Sequence, residues 1–339
     1  MVLSVYRTLA GKPIKIENNN FTPHMDAAYA GKQHMLKGSP SENVDMKWGA
    51  YSITCCPWRS IQKGVVLPTE NMDINEPHIP CVFDRPEVVA NESLMTFAID
   101  GRTYNLMINI RPVRHQALLI VKTPDTENAL LNQRIHNPQD ISDTLRMLQL
   151  FPAEFSFFFN SNPGGATHSG ASVNHFHIQA SRIASPIKTM ALTPIPALKS
   201  FNRAGLTIGK LPFWPASMRI FEGQNIEQLG QAVFQYTEVL AGNQNAYNIV
   251  YFNSRPGSLR VAVVPRTLGA PITPAFEGNV PQRIGADNMI GDMILIDQDV
   301  FEALKQDPLN AEIILTKWLM ETTATKQTMA RFDQEFLER

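Results

Sequence analysis

The sequence predicts an α+β protein of two related units with mainly antiparallel sheets. A motif at residues 158–164 (FFNSNPG) recurs at residues 251–257 (YFNSRPG), with five of the seven positions identical. Each copy follows an apolar run of strand length, which in turn follows a helical pattern. No Gly-x-Gly-x-x-Gly or Walker-type motif is present, so a Rossmann fold is not expected. We therefore expect the two units to come from an internal duplication.

The elements of the first unit can be placed in chain order. Residues 103–110 and 117–122 are rich in apolar side chains and are separated by a short polar segment, which predicts an antiparallel strand pair. A helix is expected to begin after Asn137, since Asn is a preferred N-cap and Pro138 suits the first helical position. Its apolar side recurs at helical spacing at Ile141, Leu145 and Leu148.

The repeat then supplies matching elements in both halves. Strands are predicted at 155–159 and 175–180 in the first unit and at 247–252 and 260–266 in the second, with a second helix over 225–240. The last of these strands is hydrophobic and contains no histidine. We therefore expect chemistry in the first unit only, with Asn160 functional and its copy Asn253 architectural.

Domain boundaries follow from composition. Prolines recur through residues 185–215, which predicts a long connection between the units. We expect an N-terminal arm or covering segment at 1–95, a catalytic unit at 96–195, and a second, non-catalytic unit at 196–339 that ends in a helix from Asp307 to Arg339.

Composition excludes several classes of protein. The 339 residues carry a formal net charge of -1 and are 44% hydrophobic, so neither a nucleic-acid-binding surface nor a disordered chain is indicated. The longest apolar stretches are of strand length, far short of a membrane span, and the first fifteen residues lack the apolar core of a signal peptide. We expect a cytoplasmic protein with no nucleic-acid or membrane partner and leave its oligomeric state open.

One strand-like segment, residues 170–180 (GASVNHFHIQA), carries the chemical signal. Strand alternation places His175, His177 and Gln179 on one face, and places Phe176, Ile178 and Ala180 on the other. Two imidazoles and a carboxamide in one row can supply a nucleophile at neutral pH, a neighbour that fixes its tautomer, and a neutral donor for an anion.

Other interpretations of this row remain open. A His-x-His pair on a strand is also a metal-ligand arrangement, as in cupin-like enzymes, which would make His175 and His177 the ligands. No carboxylate follows within the next residues, and Gln is a poor ligand. A non-catalytic nucleotide-binding protein or hydrogen-bonded core histidines are further alternatives.

The His175-x-His177-x-Gln179 row resembles the motif of the galactose-1-phosphate uridylyltransferase branch of the histidine triad superfamily. That branch includes diadenosine polyphosphate phosphorylases and GDP-hexose phosphorylases. Residues 172–175 (SVNH) look most like the GDP-hexose phosphorylases, in which Asn precedes the first histidine. The resemblance implies two histidine-triad-like units, only one of which keeps the catalytic row.

The resemblance also implies a mechanism. His177 would attack the α-phosphorus of a nucleoside diphosphate sugar, with GDP-hexose favoured, or of a dinucleoside polyphosphate. His175 would orient the nucleophile, Gln179 would hold the non-bridging oxygens, and Ser172 would contact phosphate. Inorganic phosphate or a sugar phosphate would then accept the nucleotidyl group from the covalent intermediate.

Further binding residues are expected around the row. Gly170 allows the backbone to approach a phosphate, and the repeated loop offers Asn160 and Asn162. By similarity to the family's strand pair, Asn109 and Arg111 are placed near the nucleotide. The cations that could balance the phosphates are Arg266, Arg182 and Arg260.

The cysteines depart from the family pattern. Some uridylyltransferases hold a structural zinc on a Cys-x-x-Cys pair, which this sequence lacks. We expect no cofactor and no metal, and leave open that His175 or His115 joins one of the cysteines (Cys55, Cys56 or Cys81) around an ion.

Overall fold

The computed structural model describes most of the chain. The described residues are 3–9, 12–36, 44–48, 51–56, 81–114, 116–123, 132–161, 169–171, 173–182, 190, 193–198, 205–211, 214–255, 257–267, 285–295 and 298–339.

Strands and helices alternate along these residues. The strands are β1 (Leu3–Leu9), β2 (Lys12–Ile16), β3 (Val44–Trp48), β4 (Tyr51–Cys55), β5 (Ser93–Ile99), β6 (Arg102–Ile108), β7 (Leu118–Thr123), β8 (Phe155–Asn160), β9 (His177–Arg182), β10 (Leu206–Gly209), β11 (Arg219–Gly223), β12 (Tyr247–Arg255), β13 (Ser258–Pro265) and β14 (Asp292–Leu295). The α-helices are α1 (Phe21–Lys32), α2 (Pro86–Glu92), α3 (Pro138–Leu148), α4 (Ile226–Gly242), α5 (Ala286–Met289), α6 (Gln298–Gln306), α7 (Pro308–Thr322) and α8 (Lys326–Leu337).

One large sheet runs through both units. Its strand order is β10-β11-β13-β12-β8-β9-β7-β6-β5-β1-β2, with antiparallel pairing between neighbours. A smaller sheet has the order β14-β4-β3, and its β14–β4 pair is parallel. The sheets are therefore mainly antiparallel, which confirms the predicted fold class.

The large sheet displays the duplication directly. Outward from its middle, the first unit runs β8-β9-β7-β6 and the second runs β12-β13-β11-β10. The helix α3 precedes β8 just as α4 precedes β12. The repeated strands β8 and β12 pair with each other, and Asn160 lies opposite Asn248. The two units therefore meet along their duplicated strands.

The helices α3 and α4 pack closely on one face of this sheet. A methyl group at Gly230 of α4 would lie 2.3 Å from Ser142 Oγ and 3.0 Å from the carbonyl oxygen of Pro138. The larger hydrophobic core lies beneath these helices and includes Phe157, Ile178 and Tyr251. A second core on the other face includes Phe158, Val250 and residues of α5 to α7.

Capping signals located the helix starts correctly. The Asn137 side chain accepts a hydrogen bond from the Asp140 N–H at 3.0 Å, and the Asp140 carboxylate accepts from the Asn137 N–H at 3.3 Å. Asn225 caps α4 in the same way, by accepting from the Gln228 N–H at 3.1 Å. Capping of this kind, which is reciprocal only at Asn137, satisfies backbone donors that have no partner inside a helix.

The C-terminal helix differs from the prediction of one helix over 307–339. It breaks between α7 and α8, because Thr323 is extended and forms a bridge with Arg266. Thr325 then begins a new helix by capping the Thr328 N–H at 3.2 Å. A contact with a distant strand therefore overrides the local helical pattern.

The N-terminal residues contribute to the large sheet. β1 pairs with β5, and β2 pairs with β1. Val5 and Phe21 are buried in the larger core. A division at residues 95 and 195 stays a prediction. Among the described helices, none combines the length and apolar character needed to cross a membrane.

Candidate functional site

The histidine row lies on the middle strand of the first unit. β9 is bordered by β7 and β8, and His177 is in register with Val121 of β7. Phe176, Ile178 and Ala180 belong to the larger core under the helices. The alternation predicted from sequence therefore turns His177 and Gln179 to the opposite face of the sheet.

His177 is held as one neutral tautomer. Its Nδ1 lies 2.8 Å from the carbonyl oxygen of His175, and only 3% of the residue is exposed. Because a carbonyl can only accept, Nδ1 carries the hydrogen and Nε2 keeps a lone pair. Burial lowers the pKa of His177 to about 4, against the smaller opposing effect of that hydrogen bond. The imidazole is therefore uncharged at neutral pH and keeps a lone pair on Nε2.

His175 acts on its neighbour through its backbone, while its own ring is fixed from two sides. Its Nε2 donates to the carbonyl oxygen of Lys122 at 2.8 Å. Its Nδ1 lies 3.4 Å from Asp84 Oδ1 and 3.7 Å from Cys81 Sγ. The contact of His175 with the His177 ring is thus made by its main-chain carbonyl, and the orienting role expected of the His175 side chain stays a prediction.

A short 3-10 helix, Val82–Asp84, covers the row. The ring of Phe83 lies 5.6 Å, between centroids, from both the His175 and the His177 ring. The Phe83 ring therefore contributes to the burial of the imidazoles, and burial is the main cause of the lowered pKa of His177.

The described residues contain one group able to hold a metal ion. Cys81, Asp84 and His175 each offer one ligand atom, and these atoms lie within 4.8 Å of one another. Because the other His175 nitrogen donates to a carbonyl, Nδ1 is directed to this group in the manner of metal-binding histidines. Thiol, imidazole and carboxylate together suit zinc, which would hold the covering segment against β9.

The alternative metal pair is not supported in the described part of the chain, where no group of three potential ligands includes His177. The two other cysteines, Cys55 and Cys56, are buried at the end of β4 in the smaller sheet. Burial raises the pKa of the Cys81 thiol to about 11, so a metal would have to displace its proton.

Gln179 follows on the same face as His177. It is half-buried and in register with Phe158 and Leu119. Within the described ranges its carboxamide has no hydrogen-bond partner. The side chain is therefore available to donate to an anion bound beside His177.

A residue that sequence reasoning missed is bonded to the backbone of His177. Gln133, in the segment before α3, is fully buried. Its Nε2 donates to the carbonyl oxygens of Asn160 and His177 at 2.8 and 2.9 Å, and its Oε1 accepts from the His177 N–H at 2.7 Å. Nothing in the sequence pattern distinguishes this glutamine from a surface one.

Asn160 and Arg266 belong to a buried network between the units. Asn160 Oδ1 accepts from Asn248 Nδ2 at 2.7 Å and from the Ala286 N–H at 2.8 Å. Arg266 donates to Asn248 Oδ1 at 2.9 Å. Burial lowers the pKa of Arg266 to about 9, so its guanidinium stays charged at neutral pH. The Asn160 oxygen thus has structural partners, and a ligand contact by either residue stays a prediction.

The glycine loop before β9 is tied to the same network. Asn248 Nδ2 also donates to the carbonyl oxygen of Ser169 at 2.6 Å. Gly170 follows with φ +90°, a conformation that favours glycine. The predicted contacts of Ser172 and Asn162 lie outside the described residues, as does His115.

The remaining polar candidates have local partners. Asn109 Oδ1 accepts from the Arg111 N–H at 3.0 Å in the turn after β6, so this Asn shapes a turn, while Arg111 is exposed. Arg182 forms an ion pair with Glu154, and the fully buried Arg260 forms one with Glu222. The last two arginines are therefore neutralised within the protein.

Comparisons with known proteins support this description of the fold. No protein-family model matches the chain, and neither does any curated protein. The crystal structure of yeast Ap4A phosphorylase Apa2 in complex with AMP is 19% identical with a TM-score of 0.64, covering 89% of this chain and 96% of that one. The complex of the same enzyme with Ap4A is 18% identical with a TM-score of 0.63, covering 90% and 97%.

This likeness establishes a fold similar to that of an Ap4A phosphorylase over nearly the whole length of both chains. Membership of the galactose-1-phosphate uridylyltransferase branch, and a closer relationship to GDP-hexose phosphorylases, are not supported by these comparisons and stay predictions.

Proposed function

We propose that this protein is a nucleotidyltransferase of the phosphorylase type that forms a covalent nucleotidyl-histidine on His177. The observation that carries the proposal is the hydrogen bond from His177 Nδ1 to the His175 carbonyl oxygen, which leaves the Nε2 lone pair on a buried, neutral ring. A nucleophile of this kind can react at phosphorus without first losing a proton.

The reaction is a double displacement. His177 Nε2 forms a bond to the α-phosphorus as the bond to the bridging oxygen breaks, and the leaving phosphate departs with that electron pair. The ring then carries positive charge, which strengthens its Nδ1–H bond to the His175 carbonyl. An oxygen of inorganic phosphate or of a sugar phosphate next attacks the same phosphorus, and the P–N bond breaks to restore the lone pair. Two inversions retain the configuration at phosphorus.

Dinucleoside polyphosphates are the substrate class we favour. The support is the fold shared with a phosphorylase whose structures contain AMP and Ap4A. GDP-hexose is the second candidate, on the strength of the sequence motif at 172–175. The Asn of that motif, Asn174, accepts a hydrogen bond from the Gln133 N–H at 2.9 Å, so its side chain has a structural role here.

The covalent intermediate provides the test. Pure protein is incubated with Ap4A, GDP-mannose or UDP-glucose carrying label at the α-phosphorus and quenched in alkali, which preserves a phosphoramidate. We expect label on the peptide that contains His175 and His177. His177→Gly should abolish labelling and lower turnover by roughly four or more orders of magnitude, as loss of a nucleophile does.

The matched control is His175→Asn, which keeps the backbone carbonyl that orients His177. It should slow labelling but not abolish it. Substantial label in His177→Gly would overturn the assignment, as would no label in the wild type with any substrate. Turnover lost on chelation and restored by a transition metal, without label, would favour the metal-dependent alternative.

A further inference from the structure

The ladder between β8 and β9 stops immediately before the nucleophile. The last paired residues are Phe158 and Gln179. If this register continued, Asn160 would lie opposite His177, and the two strands would bond to each other there. Instead, the carboxamide of Gln133 occupies that place.

This carboxamide uses every hydrogen-bonding group that it has at the gap. Both hydrogens of Nε2 are donated, one to the Asn160 carbonyl and one to the His177 carbonyl. Oε1 accepts from the His177 N–H. Three backbone groups that a normal strand pair would satisfy mutually are therefore satisfied by one side chain.

Gln133 is itself fixed on the other side. Its N–H donates to the Asn174 side chain at 2.9 Å, and Asn174 directly precedes His175. The segment before α3 therefore contacts the chain both before and at His177. Gln133 and its partners Asn160, Asn174 and His177 are all at most 4% exposed, so water does not compete for these bonds.

The aim of the His177 ring depends on this backbone. The bond from Nδ1 to the His175 carbonyl joins residues two apart, so a rotation of the peptide at His177 would change both the bond and the direction of Nε2. A displacement of about 1 Å at a reacting atom can lower a rate about 100-fold. Both polar backbone atoms of His177 are bonded to Gln133, which opposes such a rotation.

We propose that Gln133 is the positioning residue for the nucleophile: its carboxamide is inserted between β8 and β9 and sets the orientation of His177. The inference deepens the proposed function, because it specifies how the reactive ring is aimed. Gln133 acts through the backbone and does not touch the substrate.

Two substitutions test the proposal. Gln133→Met fills the space but makes none of the three bonds. We expect this variant to label His177 roughly 100-fold more slowly than the wild type in a single turnover. Its KM for the same substrate should change less than about threefold, and the substrate should still raise its melting temperature. Gln133→Glu can still accept from the His177 N–H, but it donates to a carbonyl only when protonated. The labelling rate of Gln133→Glu, divided by that of the wild type at the same pH, should therefore rise as the pH falls from 8 to 6.

The matched control is Asn243→Ala in the second unit. The Asn243 side chain donates to the Val239 carbonyl at 2.9 Å and to Glu335 at 2.7 Å, so its removal costs stability without contact to β9. It should label at the wild-type rate. Equal rates for Gln133→Met and this control would overturn the proposal.

A second measurement remains decisive if Gln133→Met folds poorly or if the wild type forms no covalent intermediate. Nitrogen-15 shifts of the His177 ring report which nitrogen carries the hydrogen. We expect one tautomer, protonated at Nδ1, in the wild type and a mixture in Gln133→Glu at pH 8. An unchanged single tautomer in that variant would overturn the inference. Absence of label in the wild type alone would overturn only the proposed function.

Discussion

At the scale of the residue, the protonation state and tautomer of His177 are set by two effects that oppose each other. Burial under the covering segment disfavours the charged ring, while the His175 carbonyl favours a hydrogen at Nδ1. Burial is the larger effect, so the ring stays neutral but keeps a fixed tautomer. In water the same imidazole would exchange between tautomers and would be partly protonated near pH 6.5.

The lowered pKa of His177 predicts a loss of stability in acid. The pKa is about 4 in the folded protein and about 6.5 in the unfolded chain, so the unfolded chain binds the proton first as the pH falls through this window. His177→Gln removes this difference. Between pH 7.5 and pH 5, the free energy of unfolding should therefore fall about 2 kcal/mol more in the wild type than in the variant. Urea unfolding at both pH values measures this, and equal falls would contradict it.

The placement of a side chain can be predicted from the sequence when it follows from strand alternation. It cannot be predicted when it depends on hydrogen bonds to residues that are distant in the sequence. The faces of His177, Gln179 and Phe176 could be predicted because the strand period is two. Gln133 could not, because its partners lie 27 and 44 positions away and belong to the backbone. The expected contrast between Asn160 and Asn253 also missed that the Asn160 oxygen joins the units.

At the scale of the element, local signals located the helix starts and distant contacts decided where elements end. Asn137 and Asn225 cap α3 and α4 because their side chains satisfy donors nearby in sequence. The break after α7 follows from the bridge between Thr323 and Arg266, which no local pattern encodes. Sequence reasoning therefore predicted the element types around the repeat, placed no element in residues 1–95, and predicted the C-terminal boundary wrongly.

The closeness of α3 and α4 makes Gly230 a sensitive position. Gly230→Ala would place its methyl group against Ser142 and the Pro138 carbonyl oxygen. Overpacking costs about 1–3 kcal/mol, which exceeds the gain of about 1 kcal/mol in helix propensity. We expect a lower free energy of unfolding in denaturant titrations, and a smaller loss when Ser142→Ala removes the nearer atom.

Gly242→Ala is the matched control for this packing effect. It lies in the same helix, and the nearest atom to a new methyl group there is 3.9 Å away, on Arg339. The variant should be stabilised by about 0.5–1 kcal/mol. A similar destabilisation of both variants would contradict the assignment of the Gly230 effect to helix packing.

At the scale of the whole molecule, the second unit contacts the loop that precedes the candidate site of the first. The sheet continues through β12 and β8, and the side chains at this seam are polar where they approach the glycine loop. Asn248 of the second unit donates to both Asn160 and the Ser169 carbonyl, and Arg266 donates to Asn248. We therefore expect the second unit, whose strand β13 contains no histidine, to hold the loop that precedes β9 in place.

This arrangement predicts that a substitution in the second unit lowers activity in the first. Asn248→Ala would leave the Ser169 carbonyl and one Arg266 donor without their present partner, at a cost of about 1–3 kcal/mol for each buried group. The loop that contains Gly170 should shift, and single-turnover labelling of His177 should fall about tenfold or more.

Arg219→Met is the control, because it breaks the ion pair of Arg219 with Asp333 in the same unit, away from the seam. That variant should melt earlier and label at the wild-type rate, whereas equal labelling by both variants would mean that the second unit supplies stability alone.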